Sequence, residues 1–319
     1  MEQNEPIAGA APAAAALPDF KRSVGRLGLA FMVYMVACQL AQLACISAVQ
    51  LLWPEALNSG WTVWLLTDLP LYLVAFPLFL LTARLAPTTA PAPRWKARRE
   101  SMGPKQLAQL FCVIIAVTYI GNYISLGINA LLALIKGAAV VNPLESVAGG
   151  GTLLANLIFG ALVPAVGEEY VFRGVAYKKL AGFGETPFIL VSGLVFGLFH
   201  GNLSQLIYAF AIGCVLAWLA CRTGTLVYGM GLHFVVNCWG IGIAPLLVQS
   251  EAGSIAAVAF ILIAGVLGVV FAVRWWRTQP HPGPGVGLPA HPVRAVLLAP
   301  GMLAYELVCL ALIVMVILM

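Results

Sequence analysis

Charged residues are scarce in this chain. Asp, Glu, Lys and Arg make up only 9% of its 319 residues, whereas 61% of the residues are hydrophobic. About a quarter of the residues of a soluble domain are charged. So few charges cannot cover a surface that faces water, which excludes a soluble globular protein. We therefore expect lipid to be the solvent for most of the chain, and an all-α, polytopic bundle of transmembrane helices as its fold.

Two other absences limit the partners. The seven cysteines include no C-x-x-C pair and all lie in apolar segments, so we interpret them as small buried hydrophobic residues. The net charge is +5, but the Lys and Arg residues lie in short loops between apolar segments and form no basic cluster. A nucleic-acid interface requires such a cluster on one folded face. We expect membrane lipid as a partner and no nucleic acid.

Long apolar runs dominate the chain instead. A helix needs about 20 apolar residues to cross a hydrocarbon core of about 30 Å. The runs that meet or approach this length lie at 27–53, 62–83, 107–135, 152–176, 187–201, 203–221, 225–249, 254–276 and 296–319. The fifth run is short, and only two residues separate it from the sixth. The sequence therefore predicts eight or nine spans.

Basic residues fall almost entirely at one end of these spans. With nine spans, Lys136 is the only Lys or Arg residue in the loops at the opposite end. Cytoplasmic loops of membrane proteins carry an excess of Lys and Arg. This bias predicts an integral membrane protein, in the plasma membrane, with a cytoplasmic N-terminus.

Ionisable residues inside a membrane are costly and are candidates for function. Two adjacent acids and a basic residue lie within one span, in the segment G-E-E-Y-V-F-R-G. On a helix, Glu169 and Arg173 share a face, which favours a structural ion pair, whereas Glu168 points away from Arg173. Glu168 is then an unpaired carboxylate and a candidate general base. A fourth ionisable residue, Asp68, is expected near the end opposite the basic loops, in contact with water.

Three further polar residues lie in later spans. Phe196 and His200 share a helical face, as do His233 and Asn237. At about 1.5 Å per helical residue, Glu168, His200 and His233 lie roughly 15 to 20 Å from the basic ends of their spans. This is in or just beyond the half of the membrane next to the basic loops. We expect the three side chains to meet at one level.

Three short motifs resemble those of the CAAX-processing and bacteriocin-protection family of intramembrane proteases, which includes the Ras-converting CAAX endopeptidases. The motifs are E-E-x-x-x-R at Glu168–Arg173, F-x-x-x-H at Phe196–His200 and H-x-x-x-N at His233–Asn237. The resemblance covers roughly residues 150–245. It is specific because the three motifs occur in order, on three spans and at compatible depth.

The resemblance implies an intramembrane endopeptidase. It implies that Glu168 and His200 activate a water that hydrolyses a peptide bond, and that His233 and Asn237 stabilise the oxyanion. The substrate would be a peptide or protein, prenylated in the CAAX-processing branch. The usual classification of the family as metalloproteases implies zinc bound by His200 and His233, with Glu168 as a further ligand. The chain has no H-E-x-x-H motif, so zinc is expected by analogy alone.

Two other functions are compatible with the same residues. A family member that keeps the motifs without proteolysis would bind a partner or confer bacteriocin protection. Buried Glu and His residues also build proton relays in transporters, but the chain has no internal repeat and its polar groups converge at one level. The predicted organisation is a mobile N-terminal tail (1–26), N-terminal transmembrane spans (27–149), a catalytic transmembrane core (150–249) and C-terminal transmembrane spans with a Pro-rich loop (250–319).

Overall fold

The computed structural model describes residues 13–85, 100–149, 151–278, 281–283, 285 and 287–319. These residues form helices and no β-strand, which confirms the all-α prediction. Eight helical segments are long and apolar enough to cross a membrane, and a shorter apolar helix lies between the fourth and the fifth of them. In chain order, the helical segments are α1 (Ala13–Leu52), α2 (Gly60–Arg84), α3 (Pro104–Lys136), α4 (Pro143–Gly149), α5 (Leu153–Phe183), α6 (Glu185–Phe199), α7 (Leu203–Thr223), α8 (Val227–Leu247), α9 (Glu251–Thr278), α10 (Pro292–Leu297) and α11 (Pro300–Leu318).

The N-terminal part of the chain differs from the prediction. Residues 1–12 of the predicted tail lie outside the described residues, but the chain is helical from Ala13, so a mobile tail extending to residue 26 is wrong for residues 13–26. Alanine is the strongest helix former, and four alanines begin this helix. Phe20 and Val24 are fully buried, and the Phe20 ring packs edge-on against Phe183 at 5.1 Å. These contacts fix the start of α1 in the bundle.

The spans run alternately in opposite directions, so their connections gather at two ends of the bundle. We call the end with the described residues 85, 100–103, 184, 224–226 and 287–299 the basic end, because Lys and Arg residues accumulate at the helix ends there. The other, which we call the far end, carries the described residues 53–59, 137–149, 151–152 and 248–250. This alternation determines the height of each side chain in the bundle.

Helices α6 and α7 form a hairpin whose tip lies inside the bundle. Helix α6 has 15 residues, or about 22 Å at 1.5 Å per residue, and starts at the basic end. It is therefore too short to cross a hydrocarbon core of about 30 Å. The chain turns at His200–Asn202, where Gly201 has a φ of 61°, a left-handed conformation that glycine adopts without strain. The turn places His200 at the inner end of α6.

Glycines let the hairpin helices approach closely. A Cβ atom on Gly213 of α7 would lie 2.8 Å from the Cα of Gly193, and one on Gly197 would lie 2.9 Å from the carbonyl oxygen of Leu206. Small residues at helix crossings are the common means of close packing in membranes. A similar crossing joins the ends of the chain, where Gly28 of α1 lies against the backbone of Met302 in α11.

Aromatic side chains hold α5 in the centre of the bundle. The Phe172 ring stacks on Phe31 of α1 at 5.3 Å and contacts Phe196 and Phe199 of α6 at 5.1 and 5.2 Å. Such ring pairs add about 0.5–1.5 kcal/mol each beyond the area that they bury. Because Phe172 follows the two acidic residues of α5 by about one turn, this packing also fixes their positions.

Helix α5 contains two π-helical stretches, Asn156–Leu162 and Glu169–Val175, separated by a short α-helical piece with Pro164. Wide turns of this kind are rare and occur frequently at functional sites. Proline has no backbone N–H and interrupts regular helical hydrogen bonding. The irregular segment is the one that carries Glu168 and Glu169.

Candidate active site

The two adjacent acids of α5 have different surroundings. Arg173 is fully buried and Glu169 is 1% exposed, and Arg173 Nη1 donates a hydrogen bond to Glu169 Oε1 at 2.9 Å. The guanidinium carbon also lies 4.3 Å from the centre of the Phe196 ring. Glu169 Oε2 and Arg173 Nε and Nη2 are buried and have no hydrogen-bond partner within the described part of the chain. The structure thus contains the ion pair that helical spacing predicts, joined by one hydrogen bond.

Glu169 also binds His233 of α8. The Nδ1–H of His233 donates to Glu169 Oε1 at 3.0 Å, so this one oxygen accepts from both the arginine and the histidine. His233 is 5% exposed, and its ring lies edge-on to Phe196 at 5.8 Å. Gly229, one turn earlier on α8, makes room for the carboxylate, because a Cβ there would lie 3.0 Å from Glu169 Oε2. Glu169 therefore orients a candidate catalytic residue as well as neutralising Arg173.

Glu168 lies on the other side of the same imidazole. Its Oε2 atom is 3.7 Å from His233 Nε2, and its side chain is 17% exposed. The His233 ring is therefore flanked by two carboxylates, Glu169 at Nδ1 and Glu168 at Nε2. The structure brings Glu168 and His233 together, as the sequence predicts.

His200 is held at the end of α6 by the turn that follows it. Its Nδ1 atom lies 2.9 Å from the Phe196 carbonyl oxygen, which can only accept, so Nδ1 carries the hydrogen. Asn202 donates to the His200 carbonyl oxygen at 2.8 Å and caps α7 by accepting from the Gln205 N–H at 3.0 Å. The Phe196 and His200 rings pack edge-on at 5.0 Å. These contacts leave Nε2 of a neutral His200 without a hydrogen and free to accept a proton.

Asn237 is anchored to the irregular part of α5. Its Nδ2 atom donates to the carbonyl oxygen of Gly160 at 3.2 Å. In a regular helix that carbonyl would accept from the backbone N–H of residue 164, but residue 164 is proline and has none. Pro164 thus removes one competing donor for the Gly160 carbonyl, which accepts a hydrogen bond from a side chain of α8. An amide nitrogen carries two hydrogens, so one donor of Asn237 is left for another acceptor.

The four predicted catalytic residues line one cavity of about 360 Å³. Glu168 comes from α5, His200 from the α6–α7 turn, and His233 and Asn237 from α8. Polar side chains of α1, α2 and α7 complete the wall, among them Gln39, Gln42, Thr67, Asp68, Tyr72, Gln205 and Tyr208. A concave site with a few convergent polar groups is the usual form of a binding or catalytic site.

Asp68 belongs to this cavity, contrary to the expectation that it contacts water at the end of a span. It is 5% exposed, and its Oδ2 atom is buried with no hydrogen-bond partner in the residues that the structure describes. The sequence shows that Asp68 is an ionisable residue inside a span, and this is the feature that marks it as a candidate functional residue. The sequence does not show which helices cover that face of α2, and their packing determines whether the Asp68 carboxyl group contacts water.

Residues 150–239 match a family model described as type II CAAX prenyl endopeptidase Rce1-like. The model is that of the family which the three motifs resemble. The matched segment is less than a third of the chain and contains Glu168, His200, His233 and Asn237. No curated protein and no solved structure matches the chain.

The side chains of the site do not have the arrangement of a zinc centre. A catalytic zinc site needs three protein ligands at about 2.0–2.2 Å from one point. No group of three His, Cys, Asp or Glu residues among the described residues is placed to bind a metal ion. Nδ1 of both histidines is engaged, by Glu169 and by the Phe196 carbonyl, so only Nε2 of each could be a ligand. The zinc expected by analogy does not fit these positions, and no step below depends on a metal.

Proposed function

We propose that the chain is an intramembrane endopeptidase in which Glu168 and His200 activate a water molecule. One observation carries the proposal: polar groups from three separate parts of an apolar bundle converge on a single buried cavity. Burying unpaired carboxylates and imidazoles costs folding free energy, so a chain that retains them at one place uses them there. The family match over the same residues supports hydrolysis of peptide bonds as that use.

Water activation requires an acceptor for its proton. His200 meets this need, because its Nδ1–H is committed to the Phe196 carbonyl oxygen and its Nε2 lone pair is free. The Glu168 carboxyl group, partly exposed to the cavity, is the second acceptor. A base positioned in this way typically contributes about 10²–10⁴-fold to the rate.

The oxyanion requires donors that are fixed before the reaction begins. Asn237 offers the amide hydrogen that its bond to Gly160 leaves free. His233 is held by Glu169 at Nδ1, and its Nε2 atom, on the side of Glu168, is the second donor when it carries a proton. A hydrogen-bond donor that is fixed in a dry site raises kcat by about 10²–10³-fold, because the donor does not have to reorient as negative charge develops on the oxygen.

The reaction then balances without another reagent. The water oxygen bonds to the carbonyl carbon, its proton passes to Glu168 or His200, and the carbonyl electrons move onto the oxyanion between His233 and Asn237. Collapse of this intermediate breaks the C–N bond. The proton held by the base passes to the leaving nitrogen, which gives a carboxylic acid and an amine.

The experiment compares membranes from cells that produce the parent chain, Glu168→Gln or Glu55→Gln. Glu55 is an exposed acid in a connection at the far end, and it serves as the matched control. A farnesylated CAAX peptide is the first probe, because the matched family is described by prenylated substrates. The second probe is the membrane proteome itself, read by mass spectrometry of new peptide termini.

We expect new termini or cleaved probe with the parent chain and with Glu55→Gln, and at least a 100-fold loss with Glu168→Gln. Equal cleavage by the parent and Glu168→Gln would contradict the assigned chemistry. Absence of cleavage in all three membranes, with the protein folded and abundant, would favour a family member that binds or protects without proteolysis.

A further inference from the structure

The active-site cavity lies toward one end of the bundle. The residues that line it occupy the middle or the far-end half of every span that contributes: 35–42 of α1, 64–72 of α2, 159–168 of α5, 205–212 of α7 and 233–241 of α8. The short helix α4, which belongs to the connection at the far end, contributes Pro143, Leu144 and Val147. Met35 and His233 are the lining residues that lie on the basic-end side of the middle of their spans, α1 and α8. The cavity therefore extends from the middle of the bundle toward the far end.

The far end is also the end that basic residues avoid. Lys136 is the only Lys or Arg at that end among the described residues, which there also include the acids Glu55, Glu145 and Glu251. Lys178, Lys179, Arg222, Arg274 and Arg277 lie at the basic end, together with Arg84 at the end of α2 and Lys105 at the start of α3. Lys and Arg are retained on the cytoplasmic side of membranes. The far end, and with it the cavity, then faces away from the cytoplasm.

We propose that the cavity receives its substrate from the non-cytoplasmic side of the membrane, and that the substrate is an exported peptide segment. This proposal rests on the endopeptidase function proposed above. It assigns to that function a substrate class, because proteins that end in a cytoplasmic CAAX sequence would approach from the basic end.

The charge of the wall supports the same substrate class. Asp68 and Glu168 line the cavity, and no Lys or Arg is among its lining residues. The lining therefore offers no cationic partner for a free C-terminal carboxylate. A peptide segment that is uncharged or basic near the scissile bond needs no such partner.

Cysteine labelling tests the side of access without using activity. Gln39 lines the cavity and is exposed, while its neighbour Leu40 is 62% exposed and lies outside the cavity, so the two form a matched pair at the same depth. Gln39→Cys, Leu40→Cys and two reference variants, Glu251→Cys at the far end and Lys178→Cys at the basic end, are treated with a membrane-impermeant maleimide in intact cells. Labelling above that of the parent chain is measured before and after permeabilisation.

We expect Gln39→Cys to label in intact cells together with Glu251→Cys, Lys178→Cys to label only after permeabilisation, and Leu40→Cys to label in neither case. Labelling of Gln39→Cys only after permeabilisation would overturn the proposal. So would failure of Gln39→Cys to label under either condition, because the cavity would then be closed to water from both sides.

Sealed vesicles of known orientation separate this inference from the proposed function. Two impermeant peptides of equal length, one with lysines and one with glutamates beside the same apolar core, are offered to right-side-out and inverted vesicles. We expect cleavage in right-side-out vesicles alone, at least 10-fold faster for the lysine peptide, and none with Glu168→Gln. Cleavage in inverted vesicles alone would refute the sidedness. The expected labelling with no cleavage in either vesicle would retain the sidedness and refute proteolysis of such peptides.

Discussion

Replacing each of the adjacent glutamates by glutamine separates chemistry from structure. Glu168 lines the cavity, and its Oε2 atom lies 3.7 Å from Nε2 of His233. Glu169 is buried and its Oε1 atom accepts hydrogen bonds from both Arg173 and His233. We expect Glu168→Gln to abolish activity in a stable protein, and Glu169→Gln to lose both stability and activity.

The magnitudes follow from these contacts. Removing one partner of a buried ion pair typically costs about 3–5 kcal/mol. Glutamine keeps an oxygen that can accept from Arg173 and His233, so we expect a loss near the lower value, about 3 kcal/mol. This is a large part of a typical folding free energy of about 5–15 kcal/mol. Glu168→Gln breaks no hydrogen bond with a charged partner, and its expected effect is a loss of about 10²–10⁴-fold in kcat.

Both variants are measured in the same detergent, by thermal unfolding and by cleavage of a peptide that the parent chain cuts. The melting temperature of Glu169→Gln should be lower than that of the parent chain. The melting temperature of Glu168→Gln should equal that of the parent chain. The double variant Glu169→Gln/Arg173→Gln should recover part of the lost stability, because it removes the buried charge that the single change leaves without a partner. It should not recover activity, since the glutamine amide holds His233 by a weaker hydrogen bond than the carboxylate does.

The opposite pattern would refute this reasoning. If Glu168→Gln melts early while Glu169→Gln is stable and inactive, the two roles are reversed. If the double variant is less stable than Glu169→Gln alone, the uncompensated charge of Arg173 is not the cause of the instability.

Three other predictions concern the same site. Asn237→Ala should lower kcat by about 10²–10³-fold with little change in KM, as expected for an oxyanion donor; an increase in KM alone would contradict that role. Pro164→Ala should keep or raise the thermal stability, because it restores a backbone N–H inside a helix, yet lower kcat, because that N–H competes with Asn237 for the Gly160 carbonyl; unchanged kcat would show that this anchor is dispensable. Cleavage should survive dialysis against a chelator in metal-free buffer; its loss, with recovery on adding zinc, would show that the side chains rearrange around a metal ion.

Much of the fold could be predicted from the sequence, because in lipid the length of an apolar run determines whether a helix can span. The hydropathy pattern predicts the eight long spans and the short one at α6. It does not predict that the chain is already helical from Ala13, because that helix is extended by contacts such as Phe20 with Phe183, which join distant parts of the sequence. The π-helical stretches of α5 are not predicted either, because helical spacing at 3.6 residues per turn assumes a regular α-helix.

In the candidate site, too, contacts within one helix can be predicted from the sequence, whereas contacts between distant parts of the chain cannot. The pair of Glu169 and Arg173 follows from residues four apart on one helix. The contact of Glu169 with His233 joins residues 64 positions apart, and no spacing rule predicts it. The sequence shows Asp68 as an ionisable residue in a span, but the burial of its side chain depends on how α1, α2 and α5 pack together.

Two parts of the chain form the wall of the cavity, and only one of them contains the predicted catalytic residues. The segment 150–239 supplies the groups that would form and break bonds, whereas α1, α2 and α4 supply Gln39, Asp68 and Pro143 and none of the predicted catalytic residues. Exchanging the first helices between related chains would therefore reshape what the cavity admits while leaving the reacting groups in place. Selectivity can diversify in one part of such a chain while the chemistry is conserved in the other.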